Sequence, residues 1–298
     1  MRMKTTLTNR PLLILLGGAL ICAASNVGAQ TYSENYGSID LGQGGATGTQ
    51  AQLNNDCAAV ATANGLSYLE GQYPNLFGNV SQDNYGTVNT LMSVPYMNTG
   101  TTGATKASTI NGLQSYIAAN GYTVASSQTV NPTYQFLASA LQANEAVQLG
   151  VLWGETDQNG NFIPGYDNGP TGGHFISLTG INLTAGTMTF LDPWGANPSG
   201  SVNAASSAIS ITADFYVDPL NTGSGPNVLE VVWPTTYGPD DTTADNTTGA
   251  SSFGSYHYPD GYVSIANIET VPEPSTISLL LLPFGAGVLR LLRKNRAA

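Results

Sequence analysis

Between residues 30 and 272 the chain has almost no positive charge: eighteen Asp and Glu stand against one basic side chain, Lys106, a net of −17. A surface of that sign repels phosphate backbones and anionic headgroups, so nucleic acid is excluded as a partner, and the plain consequence is solubility outside the cell. Cysteine is nearly absent too. Of the two in the sequence, Cys22 lies in an apolar N-terminal run and is expected to be lost with it, leaving Cys57 alone and no intrachain disulfide. The chain lacks a Gly-rich phosphate loop, a Cys/His zinc cluster and a dinucleotide fingerprint, so neither cofactor nor metal is expected.

The ends carry what the middle lacks. "MRMKTTLTNR", then "PLLILLGGALICAA", then "SNVGAQ" is a basic, apolar and small-residue succession that reads as a secretory signal over residues 1–29, cut by signal peptidase after Ala29. The other end is "VPEPSTISLLLLPFGAGVLRLLRKNRAA", with an apolar run from Ile277 to Leu289 followed by Arg290, Arg293, Lys294 and Arg296. That run is shorter than the roughly 20 residues that span a bilayer, but snorkelling arginines lengthen it and set the C-terminus in the cytoplasm. Motif, apolar run and basic end together resemble the PEP-CTERM sorting signal of Gram-negative bacteria. The resemblance implies that residues 271–298 are a sorting segment with a short transmembrane stretch, recognised by an exosortase and removed near Pro272 to Ser275. The protein would then be held transiently in the inner membrane and delivered to the periplasm, cell surface or extracellular matrix. An ordinary C-terminal anchor is the alternative.

Residues 30–50 are polar and rich in Gly, Ser and Thr and read as an exposed lead-in. From Asp56 the pattern changes: Ala59, Val60, Ala63, Leu66 and Leu69 recur at helical spacing, with Asp56 as N-cap, Cys57 in the first turn and a stop near Glu70. Gly65 inside that helix costs about 1 kcal/mol relative to alanine. Residues 107–119 and 133–143 repeat the helical pattern, each closed by an Asn. "GYTVASSQTV", "EAVQLGVLW", "HFISLTGI", "TMTFLDPW", "AISITADFYV", "NVLEVVW" and "GYVSIANI" read as strands. Helices followed by sheet predict an α+β fold in two layers, the Cys57 helix packed on an antiparallel sheet. The span 51–270 is one domain whose last strands form a β-rich extension, and 237–254 reads as a mobile loop. No internal repeat occurs.

A thiol at a helix start feels the positive end of the helix dipole, a setting used for cysteine nucleophiles, although a lone cysteine is as often buried packing. A nucleophile for acyl transfer needs a base, and the base an orienting acceptor. Of the two histidines, His257 lies among turn residues and reads as a surface side chain. His174 opens a strand and precedes a second strand ending in Asp192. Folding these strands about Leu183 pairs Thr179 with Thr187, Leu178 with Met188, Ser177 with Thr189, Ile176 with Phe190, Phe175 with Leu191, and lastly His174 with Asp192. Opposed residues bring Cβ atoms to roughly 4.5–5.5 Å, within reach of an imidazole–carboxylate contact. The same folding puts His174, Ile176, Leu178, Met188, Phe190 and Asp192 on one face, expected to be the face toward the Cys57 helix. An ion pair at the open end of a hairpin is the bland reading. "GETDQNGNFIPGYDNGPTGG", with Asp157, Asn159, Asn161 and Asp167, and the run Asp240, Asp241 and Asp245 read as turn-rich or solvated loops; the first borders the cleft and lacks the spacing of a calcium loop.

"NNDCAAVATANGLSYL", "GGHFISLTGI" and "FLDPWG", in that order over about residues 50–197, resemble the papain-like cysteine peptidases, and most the C39-like branch. The resemblance implies the papain-like two-layer fold, a peptide or protein substrate, Cys57 as nucleophile, His174 as base and later acid, and Asp192 as its orienter. Two positions depart from the family pattern. Ala58 follows the cysteine where glycine is frequent, and position 51, where the oxyanion-hole glutamine commonly sits, is alanine. Gln52 is therefore assigned as that donor beside the Cys57 N–H, with Asn55 in reserve. Two other readings compete: a cell-wall amidase of the NlpC/P60 kind, whose domains are more compact, and a non-catalytic surface or matrix protein that keeps the scaffold.

Overall fold

The computed structural model describes residues 30–78, 81–156, 162–164, 173–194, 207–219, 227–232 and 261–271. The two terminal segments, His257, the 237–254 loop and Asp157, Asn159, Asn161 and Asp167 lie outside the described residues. In chain order the elements are β1 (Thr31–Ser33), α1 (Gln50–Leu53), α2 (Cys57–Gln72), α3 (Tyr85–Met92), α4 (Lys106–Asn120), β2 (Ala125–Val130), α5 (Tyr134–Gln142), β3 (Ala146–Thr156), β4 (Phe162–Pro164), β5 (Gly173–Asn182), β6 (Thr187–Asp192), β7 (Ile209–Pro219), β8 (Asn227–Val232) and β9 (Gly261–Thr270). Among the described residues no helix is long and apolar enough to cross a membrane.

The fold is α+β, and every strand pairing in it is antiparallel. The pairings β5–β6, β6–β7, β7–β8, β8–β9, β9–β3 and β3–β5 close on themselves, so these six strands form a ring, and β1, β2 and β4 attach to its edges. Alternation along each strand sends one row inward. Val147, Leu149, Ile176, Leu178, Met188, Phe190, Ile211, Ala213, Val231 and Ile268 form one core, to which α5 adds Leu137, Ala138, Ala140 and Leu141.

The opposite row faces α2, which lies on the outside of β3 and β5 and is buried from Ala58 to Leu69. Its small residues permit that approach. A Cβ on Gly65 would stand 3.3 Å from Glu269 Oε2 and 3.4 Å from the Ala146 Cβ, so the conformational cost of glycine here is offset by close helix–sheet packing. The helix runs from Cys57 to Gln72, two residues past the expected stop.

Three expectations are corrected. Residues 30–50 are not an exposed lead-in: Glu34, Tyr36, Leu41, Gln43 and Ala46 are buried. β1 pairs with β5, the Tyr36 ring stacks on Tyr68 at 4.6 Å, and Asn64 holds both backbone groups of Leu41, accepting from its N–H at 3.2 Å and donating to its C=O at 3.0 Å. Polar composition misleads here because the segment is a strap whose partners lie far along the chain. The last strand is no appendage either, since β9 pairs with β2, β3 and β8.

The third correction is the hairpin register. The structure pairs Ser177 with Leu191, Leu178 with Phe190, Gly180 with Thr189 and Asn182 with Thr187, with an irregularity between Leu178 and Gly180. The turn is centred beyond Leu183 because the Asn182 side chain accepts from the Thr184 and Ala185 N–H groups and Gly186 takes φ +70°. The row of Ile176, Leu178, Met188 and Phe190 does share a face, but that face is the interior of the ring and not the side toward α2.

Candidate active site

Asp56 occupies the N-cap position of α2, yet its side chain caps no backbone N–H. Cys57 follows as the first helical residue and is partly exposed. Two side chains of the sheet fix the helix axially: Gln148 Nε2 donates to Ala58 O at 2.7 Å and Ser177 Oγ donates to Ala61 O at 3.1 Å. Gln148 also reaches Thr62 Oγ1 at 2.9 Å and accepts from Asn267 Nδ2 at 2.6 Å. Helical and strand periodicity in the sequence does not point to this network. Its signal was a polar residue breaking an apolar strand, as Gln148 does in "AVQLGV" and Asn267 in "SIANI".

His174 begins the inward row of β5, where the end of the ring meets the start of α2. The preceding Gly173 is required there, since a Cβ would stand 2.7 Å from Val151 O in the paired strand. Register sets Asp192 diagonally from His174 and not directly opposite, and the side chains close the gap: His174 Nε2 meets Asp192 Oδ1 at 2.7 Å, both residues buried. The same Oδ1 accepts from the Trp194 N–H at 2.8 Å, and the Trp194 ring lies 5.6 Å from the imidazole at a tilt of 58°. With Nε2 engaged by the acid, Nδ1 is the nitrogen left for the thiol, and the Cys57 side chain hydrogen-bonds this imidazole. Burial by itself lowers the proton affinity of His174. The Asp192 charge and hydrogen bond, helped by Cys57, reverse this and raise its pKa to about 10, so the ring is an imidazolium at neutral pH.

These three side chains meet although 117 residues separate Cys57 from His174 and 18 separate His174 from Asp192. Residues 47–216, more than half of the chain, match the Peptidase_C39 like family, an interval that holds Cys57, His174 and Asp192. The chain belongs to that family. Comparison with curated proteins gives no match. Membership makes the C39-like chain a hydrolase of peptidase type, with peptide or protein as its substrate class, and the α+β architecture agrees with the papain-like fold.

Other residues of this C39-like site are less simply arranged. Gln52 stands half-buried, its Oε1 accepting from the Thr49 N–H at 2.9 Å and from Thr49 Oγ1 at 3.1 Å, which leaves Nε2 as the end able to donate elsewhere. Asn55 is spent: its Nδ2 donates to Ala51 O at 2.8 Å and Thr101 O at 3.0 Å, tying α1 to a neighbouring turn, so the reserve assignment as oxyanion donor is withdrawn. Gln43, unremarked in the sequence, donates its N–H to Pro193 O at 2.6 Å and lies buried beside Asp56, joining the strap to the segment that carries Asp192. Among the described residues no group of three or more His, Cys, Asp and Glu is arranged to hold a metal ion.

Proposed function

We propose that the chain is an exported cysteine peptidase that hydrolyses peptide bonds through Cys57, His174 and Asp192. The observation that supports this most is the 2.7 Å contact of His174 Nε2 with Asp192 Oδ1, on an imidazole whose other side meets the Cys57 thiol. In this reading the thiolate attacks the scissile carbonyl carbon, and the C=O electron pair moves to oxygen, where the Cys57 N–H and Gln52 Nε2 receive it. His174 Nδ1–H then protonates the departing amine as the C–N bond breaks, leaving a thioester. A water gives one proton to Nδ1 as its oxygen attacks the thioester carbon, and collapse breaks the C–S bond to expel the thiolate and the new carboxylic acid, which loses its proton to solvent. Asp192 keeps the ring oriented throughout by accepting from Nε2–H.

The ends of the chain complete the proposal. Residues 1–29 direct export, and 271–298 act as a PEP-CTERM sorting segment that anchors the protein transiently until an exosortase removes it, leaving residues 30–270, the packed strap included, as the peptidase domain in the periplasm, at the cell surface or in the extracellular matrix. The test of the chemistry is digestion of an unfolded protein and, in parallel, of purified peptidoglycan by the mature chain and its Cys57→Ala variant. Protein fragments from the native chain and none from the variant are expected; fragments from both would sink the reading, and release of peptidoglycan peptides alone would favour a cell-wall amidase. Deleting residues 272–298 is expected to move the protein from the membrane fraction to the soluble one, and an unchanged distribution would refute the sorting role.

A further inference from the structure

The carboxylate that precedes the nucleophile is used by nothing described so far. Asp56 is fully buried, does not cap its helix, and neither of its oxygens has a hydrogen-bond partner. The Gly44 N–H and the Gln43 side chain approach it from the strap without closing a bond of normal geometry. A carboxylate in such a place is destabilising unless a charge compensates. The titratable groups that face it are Cys57 on its own helix, His174 from β5, and the Tyr85 hydroxyl from α3, which accepts from the Gly42 N–H at 3.3 Å. Only one of these can become a cation, His174.

We propose that Asp56 is a positioning residue for the Cys57–His174 pair: a second carboxylate, buried and unpartnered one residue before the nucleophile, whose negative charge acts at longer range than that of Asp192 and keeps the proton on His174 while sulfur is the thiolate. This rests on the cysteine-peptidase reading. Asp192 orients the ring through Nε2, whereas Asp56 acts through space. Burial raises the pKa of Asp56 to about 7, with Gly44, Gln43 and the His174 charge drawing it back. The sign follows. Below that value Asp56 is neutral and silent; above it the charge appears and His174 retains its proton into more alkaline solution.

The test is a pH titration of the His174 ring by NMR in the mature chain and in Asp56→Asn, with His257→Ala to assign the signals, since the chain has two histidines. An opposite charge in contact shifts a pKa by roughly 1–3 units, and one acting at longer range by less, so the His174 midpoint is expected to fall by about half a unit in Asp56→Asn, roughly a threefold loss of proton affinity. Superimposable titrations would overturn the proposal. Should Asp56→Asn not fold, the native protein decides: the His174 signals must show a second, smaller inflection near neutrality, and a single smooth transition would refute the role. Iodoacetamide alkylation of Cys57 across pH separates this from the peptidase reading. A Cys57 that alkylates only as an ordinary alkaline thiol sinks the nucleophile, whatever Asp56 does to His174. Low-pH alkylation in the native chain with unchanged His174 titration in Asp56→Asn sinks Asp56 alone.

Discussion

The two sides of the strand ring share apolar packing and differ in the hydrogen bonds that one of them adds. Its interior is hydrocarbon: Val147, Leu149, Ile176, Leu178, Met188, Phe190 and Val231 are almost wholly buried. The outer surface under α2 is apolar as well, since Ala59, Ala63 and Leu66 of the helix cluster with Ala146, Phe175 and Ile265 of the sheet, but amides and hydroxyls are stitched through it. Gln128 Nε2 donates to Asn267 Oδ1, Asn267 donates to Gln148, and Gln148 donates to Ala58 O, a chain that ends one residue from Cys57. Apolar contact is non-directional, so it stabilises a helix on a sheet without fixing its axial position or rotation. Hydrogen bonds to particular carbonyls of α2 fix both. Cohesion therefore comes from both sides of the ring, and aim comes from the outer one, where a sulfur on a helix must meet an imidazole on a strand.

The largest effect expected concerns aim alone. Cys57→Ala should lower hydrolysis by about 10⁴-fold or more while its thermal midpoint stays with that of the native chain; equal loss of activity and stability would show the thiol to be structural. Next comes Phe190→Ala inside the ring, which should cost about 3–5 kcal/mol in urea unfolding and leave the turnover of the remaining folded molecules unchanged. A drop in their turnover would break the division of labour. Gln148→Leu should cost about 1–3 kcal/mol, because it orphans Asn267 Nδ2 in a buried setting, and in addition slow Cys57 alkylation severalfold; stability loss without slower alkylation would make the network mere packing.

The smallest effect concerns pH. Glu34, buried against Tyr68, has its pKa raised to about 9, first by burial and then, against the opposing Tyr68 contact, by Glu145. The folded chain thus holds a proton that the unfolded chain releases above its ordinary carboxyl pKa of 4.5. This contribution to stability is complete below 4.5 and is lost as pH rises toward about 9. Glu34→Gln should flatten that decline in thermal midpoint. A slope identical to the native one would place the titration elsewhere.

The elements were readable where a single period ran unbroken. The small and apolar residues after Asp56 predicted α2 to within two residues of its end, and short runs of apolar and hydroxyl residues bounded by turn residues gave β5 and β6. What escaped was anything decided by a local irregularity or by a distant partner. The Asn182 side chain and Gly186 moved the turn, and the irregularity near Thr179 moved the register again, so the pairing foreseen for His174 and Asp192 was wrong in backbone terms although their side chains meet. α3 carries only Val88 and Leu91 as buried apolar residues in its short span and gave no clear period; its start is set by Asn84, which accepts from the Thr87 N–H. The inward turn of Asp56 was hidden because a good capping residue and a buried acid look alike in a string of letters.

The strap has a consequence for control. Many hydrolases are stored silent beneath a prosegment that a later cut discards, which requires that segment to depart without dismantling what it covered. Here Tyr36 is wedged on Tyr68, Leu41 is gripped by Asn64, and Gln43 grips Pro193 beside the acid of the site. Trimming the chain back to residue 46 would strip away these buried contacts along with any cover, so maturation by cutting at this end should extinguish the protein instead of awakening it.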